Sequence, residues 1–172
     1  MDVLTAIRGR RSIRSFKGDE IEPEKIEVLK DALVWAPSAG NLQSRFFYFV
    51  YNDDVKRRLV GAALGQEFIL EAPLVVVGCA DTGRIAVRYR ERGVYLYCIE
   101  DLACSIQNMM LAAYSEGLGS VWVGAFNENE VAGILEMPER HRPLAIVPVG
   151  YPDEDPVPPE RVSHAEAVKE VF

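Results

Sequence analysis

The segment Arg10-Arg11-Ser12-Ile13-Arg14-Ser15-Phe16 concentrates side chains that can bind an anion. Each arginine carries a planar guanidinium group that can donate two parallel hydrogen bonds to a phosphate, and Ser12 adds a hydroxyl donor. The chain as a whole is acidic, with 19 basic residues, 26 acidic residues and a net charge of -7, so the cluster contrasts with its background. Taken alone, the cluster is either a phosphate site or a basic face that water solvates.

A second segment, Ala36-Pro37-Ser38-Ala39-Gly40-Asn41-Leu42-Gln43, places two amide side chains on a glycine-containing turn before an apolar run. Asn41 and Gln43 can donate and accept hydrogen bonds at the polar rim of a bound molecule. In an ordinary turn, the same amides would satisfy nearby backbone groups instead. The segment by itself leaves both interpretations open.

Composition narrows the class of protein. The chain has 172 residues, of which 49% are hydrophobic, enough for one domain with a sizeable core. The acidic balance argues against nucleic acid as a partner. The longest apolar runs fall short of the about 18 residues that a membrane span needs, and we also expect no signal peptide. The three cysteines form no Cys-x-x-Cys pair, so we expect reduced thiols, no metal site and a cytoplasmic location.

The hydrophobic pattern predicts an α+β chain: a mixed central sheet of about four strands, with helices on both faces. The predicted strands are 46–51, 74–79, 119–124 and 144–149, and the predicted helices are 2–9, 23–36, 53–63, 66–71, 95–116 and 128–136. Residues 1–151 are expected to form one domain. The prolines and acidic residues of 152–172 predict an extended arm, which is either disordered or laid across a partner.

The predicted helix 95–116 has an unusual pattern. Apolar residues cover a broad arc, and the remaining face is small or uncharged apart from Asp101. A helix on the surface of a monomer would carry charges there. The helix is therefore either the buried core helix of the domain or, because 172 residues offer little to cover it, part of a dimer interface.

The chain resembles the nitroreductase family of FMN-dependent homodimeric oxidoreductases in five segments that occur in the family's order. These are Arg10 to Arg14; Ala36-Pro37-Ser38 with Asn41 and Gln43; Gln66-Glu67-Phe68 leading to Glu71-Ala72-Pro73; Gln107-Asn108 followed by Glu116-Gly117-Leu118-Gly119-Ser120; and Val147 to Pro152. The resemblance implies a nitroreductase-like fold and an intertwined homodimer whose arm wraps the partner. The chain departs from the family at Ser44-Arg45, where many members have Pro-Trp.

The resemblance also implies an FMN site shared by two subunits. One subunit would contribute Arg10, Arg11, Ser12, Arg14, Val123, Gly124 and Arg161, and its partner would contribute Pro37, Ser38, Ala39, Asn41 and Gln43. The phosphate would lie at Arg10 and Ser12, with Arg161 completing that site. Two catalytic roles follow: Arg14 would stabilise negative charge at the pyrimidine edge of the ring, and the Gly124 N–H would lie near N5.

The implied activity passes a hydride from NADH or NADPH through flavin N5 to a nitroaromatic, quinone or similar acceptor, by a ping-pong mechanism. The alternatives are a non-catalytic FMN-binding storage or regulatory dimer, and a family relative that acts in dehalogenation or flavin fragmentation. One further cluster remains open. The arginines between Arg84 and Arg92, with Tyr89, would receive an acidic substrate or the 2′-phosphate of NADPH, or else form a solvated helix face.

Overall fold

The computed structural model describes every residue from Met1 to Phe172. Its helices are α1 (Val3–Gly9), α2 (Pro23–Val34), α3 (Asp53–Ala62), α4 (Phe68–Glu71), α5 (Thr82–Arg92), α6 (Cys98–Ser115), α7 (Glu128–Ile134) and α8 (His164–Ala167). Its strands are β1 (Arg45–Val50), β2 (Leu74–Asp81), β3 (Gly119–Ser120) and β4 (His141–Gly150). A short 3₁₀ turn spans Ala39–Asn41, and a π-helical turn at Gly93–Tyr97 joins α5 to α6. None of the helices has both the length and the apolar content that crossing a membrane requires.

The four strands form one sheet in the order β1-β2-β4-β3. All three strand pairs are antiparallel. The parallel part of the predicted mixed sheet is limited to one bridge between Ser12 and Ser120, through which the N-terminal segment joins the β3 edge. The predicted strand 119–124 is shorter than expected, because only Gly119–Ser120 pairs continuously and Val123 adds a separate bridge to Ile146. The α+β fold with about four strands is confirmed.

Helices cover both faces of the sheet, as the pattern predicted. Strand β2 is buried at every position, and its side chains alternate between two cores. Leu74 and Val76 pack with residues of α2 and α6 on one face. Val75 and Val77 pack with residues of α3, α4 and α7 on the other. This two-sided burial makes the sheet a rigid support for the loops at its corners.

Helix α6 covers the sheet with one face and leaves the other open in the single chain. Leu102, Ile106 and Met109 are almost fully buried against the sheet. Among the exposed positions of α6, Glu100 is the only charged residue. The alternative of a core helix buried within one chain is therefore not what the single chain shows, and the open face remains a predicted dimer interface. The helix ends before Gly117, whose φ of 77° lies in the left-handed region that glycine favours.

The arm 152–172 is attached to the domain only at its start. Pro152 bridges to Phe16, and the Asp153 amide donates to the Ser15 carbonyl at 3.0 Å. The Glu154 carboxylate accepts a hydrogen bond from the Arg14 amide. From residue 157 onward every side chain is exposed, and α8 is the only regular element. Apart from α8, the arm has no regular structure, and every side chain in its second half is exposed in the single chain.

Candidate functional site

A cationic cavity of about 270 Å³ lies beside the N-terminal segment and the arm. It is lined by Arg10, Arg11, Ser12, Arg14, Pro156, Val157, Pro159 and Arg161. The lining contains four arginines and no carboxylate. The structure therefore brings together all the residues predicted to hold a phosphate, including Arg161, which is more than a hundred residues away from the others in sequence.

The β3 edge holds the N-terminal segment in place. Ile13 is 6% exposed, and its amide donates to the Ser120 carbonyl at 3.1 Å. At Gly119, a Cβ atom would come within 2.7 Å of the Ile13 side chain, so glycine allows the two segments to approach. Arg10 and Ser12 precede this anchor in the chain, and Ser12 itself bridges to Ser120 at the edge of the sheet where β3 lies.

Arg10 makes no ion pair within the chain, although Glu154 and Asp155 line a neighbouring cavity with it. Its Nη1 atom is buried without a hydrogen-bond partner, as is Oγ of the neighbouring Ser120. Burial, followed by the charges of Arg161 and Arg11, lowers the pKa of Arg10. An unpartnered buried donor destabilises the folded state by about 1–3 kcal/mol. A bound phosphate would supply both the missing acceptor and the missing negative charge, so these residues fit a phosphate group.

Arg11 has a different position from its neighbours. Its Nη1 atom donates to the carbonyls of Arg8 at 2.7 Å, Gly9 at 3.1 Å and Arg10 at 2.9 Å. These contacts satisfy carbonyls at the end of α1, where a positive charge is favoured. Arg11 thus fixes the backbone that presents Arg10, although it also lines the cavity.

The loop 36–44 is held by two buried charged residues that the sequence analysis did not assign to the site. Arg45 is 7% exposed and donates to the carbonyls of Val34 at 2.9 Å, Ala36 at 2.7 Å and Pro37 at 3.0 Å. Its position explains the departure from the family's Pro-Trp, because a guanidinium group here ties the end of α2 to β1.

Asp101 of α6 provides the second anchor for this loop. Its carboxylate accepts hydrogen bonds from the Ala39 amide at 2.7 Å and from the Ser44 hydroxyl at 2.6 Å. The residue is 3% exposed. The only signal in the sequence was its charge on an otherwise uncharged helix face, which did not indicate what it contacts.

The amide side chains of the loop are free. Asn41 and Gln43 have φ values of 55° and 52°, in a region where non-glycine residues are uncommon. The backbone N–H of Gln43 donates to Ser38 Oγ at 3.0 Å, and this hydrogen bond closes the turn. Neither amide side chain makes a hydrogen bond within the chain, and both residues are exposed. The interpretation that they satisfy the turn backbone is therefore wrong, and both remain available to a ligand.

Val123 and Gly124 lie on the same edge of the sheet as the cationic cavity. Val123 exchanges two backbone hydrogen bonds with Ile146, at 2.9 and 3.0 Å. The next amide, that of Gly124, has no partner within the chain and is exposed. Ile146 lies three residues from Val149, which pairs with Ser120, so Val123 lies about 10 Å along the edge from Ser120, the residue that bridges to Ser12.

The two halves of the predicted site occupy opposite corners of the sheet within one chain. The loop enters β1 at Arg45, which pairs with Ala80, whereas β3 pairs with the far end of β4 at Gly150. Three strand spacings separate the two edges by about 14 Å, and the strands add roughly 20 Å along their length. The structure thus gathers Arg10, Ser12, Arg161 and Gly124 at one edge, and does not bring Asn41 or Gln43 to them.

The fold is an α+β fold built on a single four-stranded sheet, with a cavity lined by four arginines at one edge. The model of the nitroreductase family matches residues 7–83 and 61–151, and the chain belongs to that family. The resemblance drawn from the five segments is confirmed.

Three relatives illustrate the similarity. A Methanothermobacter thermautotrophicus protein with the provisional name NADH dehydrogenase/NAD(P)H nitroreductase is 32% identical over 160 residues, which cover 91% of this chain and 80% of that one. The FMN reductase [NAD(P)H] of Bacillus subtilis is 27% identical over 96% of this chain and 74% of its own length. The structure of the NADPH:FMN oxidoreductase of Vibrio harveyi, complexed with NAD+, superimposes with a TM-score of 0.90 at 27% identity, covering 98% of this chain and 76% of that one.

Proposed function

We propose that this protein is an FMN-dependent oxidoreductase that takes a hydride from NADH or NADPH and passes it to a nitroaromatic, quinone or similar acceptor. The carrying observation is the cavity lined by four arginines and no carboxylate; one of these arginines, Arg10, also has a buried Nη1 atom without a hydrogen-bond partner. Family membership supports the proposal, as do the names of the Bacillus subtilis and Vibrio harveyi relatives, which specify FMN and NAD(P)H.

Each residue of the cationic edge then has a role in holding FMN. Arg10, Ser12 and Arg161 bind the phosphate, and Arg11 fixes the backbone beneath it. Arg14, whose guanidinium makes no hydrogen bond within the chain, places a positive charge beside the pyrimidine edge. The free N–H of Gly124 orients the ring. Bound FMN supplies the hydride chemistry itself, so the chain needs no general base.

We further propose that the protein is a homodimer with shared sites. The separation of the two half-sites across the sheet supports this, because a single chain cannot bring both against one small ligand. Residues 37–43 of one protomer would face Arg10 and Gly124 of the other. The domain 1–151 would form the FMN-binding unit and the arm 152–172 would wrap the partner, which the exposure of every side chain in its second half supports.

Two expectations complete the proposal. The nucleotide and the acceptor use one binding place in turn, which is a ping-pong order. The protein works in the cytoplasm, an assignment supported by three free cysteines, Cys79, Cys98 and Cys104. Burial raises the pKa of Cys79 to about 12, so that thiol stays protonated and unreactive.

The direct test is the purified protein itself. We expect it to be yellow, to release FMN rather than FAD on denaturation, and to lose its flavin absorbance rapidly when NADH or NADPH is added without oxygen. A colourless protein that fails to bind micromolar FMN would contradict the cofactor assignment. A protein that binds FMN but is not reduced by either nucleotide would instead support the storage or regulatory alternative.

A further inference from the structure

The arginines of α5 lie against the loop that carries the free amides. A Cβ atom at Gly40 would come within 2.8 Å of Arg88 Nη1 and within 2.6 Å of the Tyr89 hydroxyl, so both groups touch the loop backbone there. Arg84 Nη1 donates to the Gln43 carbonyl at 3.0 Å. Two guanidinium groups therefore flank Asn41 and Gln43. These arginines differ from those of a solvated helix face, because their charges lie beside a candidate ligand site.

Aromatic rings hold these guanidinium groups in position. Arg88 Cζ lies 5.4 Å from the centroid of the Tyr89 ring, and Tyr89 meets Tyr97 edge-on with centroids 5.2 Å apart. Arg92 donates to the Tyr97 hydroxyl at 2.9 Å and lies 5.4 Å from that ring. Cation–π contacts of this kind favour particular guanidinium orientations. The α5 rim, defined as Arg84, Arg88, Tyr89, Arg92 and Tyr97, is thus partly pre-organised.

Charge on the rim is only partly balanced within the chain. Arg84 lies 3.8 Å from Asp81, which is also 3.8 Å from Arg140. Arg88 has no carboxylate within ion-pair distance. Its guanidinium makes a cation–π contact with the Tyr89 ring. In a chain with a net charge of -7, this leaves a local positive charge beside the free amides. A neutral ligand would gain nothing from that charge, whereas an anionic one would.

We propose that Arg88, supported by Arg84, selects ligands that carry a carboxylate or phosphate group for the site that the Asn41 loop completes. The inference rests on the proposed function, because the selected molecule is the electron donor or the acceptor. Two sources present this chemistry: the 2′-phosphate of NADPH, and a carboxylate on a planar aromatic acceptor. In NADPH the 2′-phosphate lies on the adenosine ribose, away from the nicotinamide, whereas in an aromatic acceptor the carboxylate lies directly beside the ring.

The test measures binding of unreactive ligands to the FMN-loaded protein by calorimetry. One pair is adenosine 2′,5′-bisphosphate and adenosine 5′-monophosphate, and the other is benzoate and benzamide. We expect Arg88→Gln to reduce the preference for the more anionic member by about five- to tenfold in at least one pair. Arg88→Lys should keep most of the preference, and added salt should reduce it in the wild type. Arg58→Gln on α3, which removes the same charge from an exposed site, is the control.

The two pairs separate the sources. A loss confined to the nucleotide pair assigns the rim to NADPH, and a loss confined to the benzoate pair assigns it to an anionic acceptor. The proposal is overturned if the wild type prefers neither anionic member, if Arg88→Gln changes no preference, or if Arg58→Gln has the same effect. Failure of the proposed function is seen separately, as a wild-type holoprotein that oxidises neither NADH nor NADPH.

Discussion

At Arg10, burial and repulsion between like charges act in the same direction, and both lower the pKa of the guanidinium group. Arginine stays charged in proteins, so the folded chain carries this unfavourable energy rather than losing the proton. The charge-assisted hydrogen bonds that a phosphate accepts would offset it. A residue that is unfavourable in the empty cavity and favourable in the filled one is typical of a binding site, because stability and affinity oppose each other there.

Replacing Arg10 should have opposite effects on FMN affinity and on the stability of the FMN-free protein. Arg10→Ala is expected to weaken FMN binding by about ten- to hundredfold, since a charge-assisted hydrogen bond contributes about 1.5–3 kcal/mol. Unfolding of the FMN-free protein should occur at the same or a slightly higher temperature. Fluorescence titration and thermal unfolding measure the two effects. Arg14→Ala is the comparison, because it should instead slow turnover of the FMN-saturated enzyme. Equal loss of binding in both variants, with normal turnover, would contradict the separate roles.

At the level of elements, the sequence predicted what depends on local pattern. The continuous apolar run from Leu74 predicted a central strand, which is observed, and the prolines after Tyr151 predicted an extended arm, which stays a prediction. The contacts of Asp101 were not predictable, because the carboxylate meets a hydroxyl 57 residues away and no local pattern encodes that pairing. The pattern of α6 left two alternatives open for the related reason that a pattern shows which side chains avoid water without showing what covers them.

Asp101 gives an element-scale test. Asp101→Asn keeps the size of the side chain but cannot accept from both the Ala39 amide and the Ser44 hydroxyl as a carboxylate does. We expect the free energy of unfolding, measured in urea, to fall by about 1–3 kcal/mol, since a buried partner is lost. Glu100→Gln, the neighbouring exposed carboxylate, should change it by less than about 0.5 kcal/mol. Similar losses in both variants would show that Asp101 does not anchor the loop.

At the scale of the whole molecule, three features of the single chain are incomplete. The half-sites lie at opposite corners of the sheet, the open face of α6 carries one charged residue, and the second half of the arm is fully exposed. One two-fold axis that pairs the α6 faces would address all three. An interface of this kind belongs to the obligate class, which buries more than about 2,000 Å² in total.

Subunit complementation tests the pairing. One parent carries Arg10→Ala with Arg14→Ala, and the other carries Asn41→Ala with Gln43→Ala; each alone should be poorly active. After exchange in mild denaturant, a heterodimer contains one site with both wild-type halves and one site with neither. Activity should therefore return in the mixture, up to about half the wild-type value per heterodimer. If mass measurement confirms exchange and no activity returns, each site is built within one chain.

Because the two half-sites lie at opposite corners of one chain, each FMN in the proposed dimer would contact both protomers and hold them together. A ligand held by Arg10 of one chain and by the amide loop of the other is bound fully only by the assembled pair. Thermodynamic linkage then requires that a change which strengthens FMN binding also stabilises the dimer. Dilution, which dissociates the dimer, should also release FMN. A newly synthesised protomer would have to dimerise before it could retain FMN. The flavin absorbance of the protein would therefore report dimer formation as well as FMN binding.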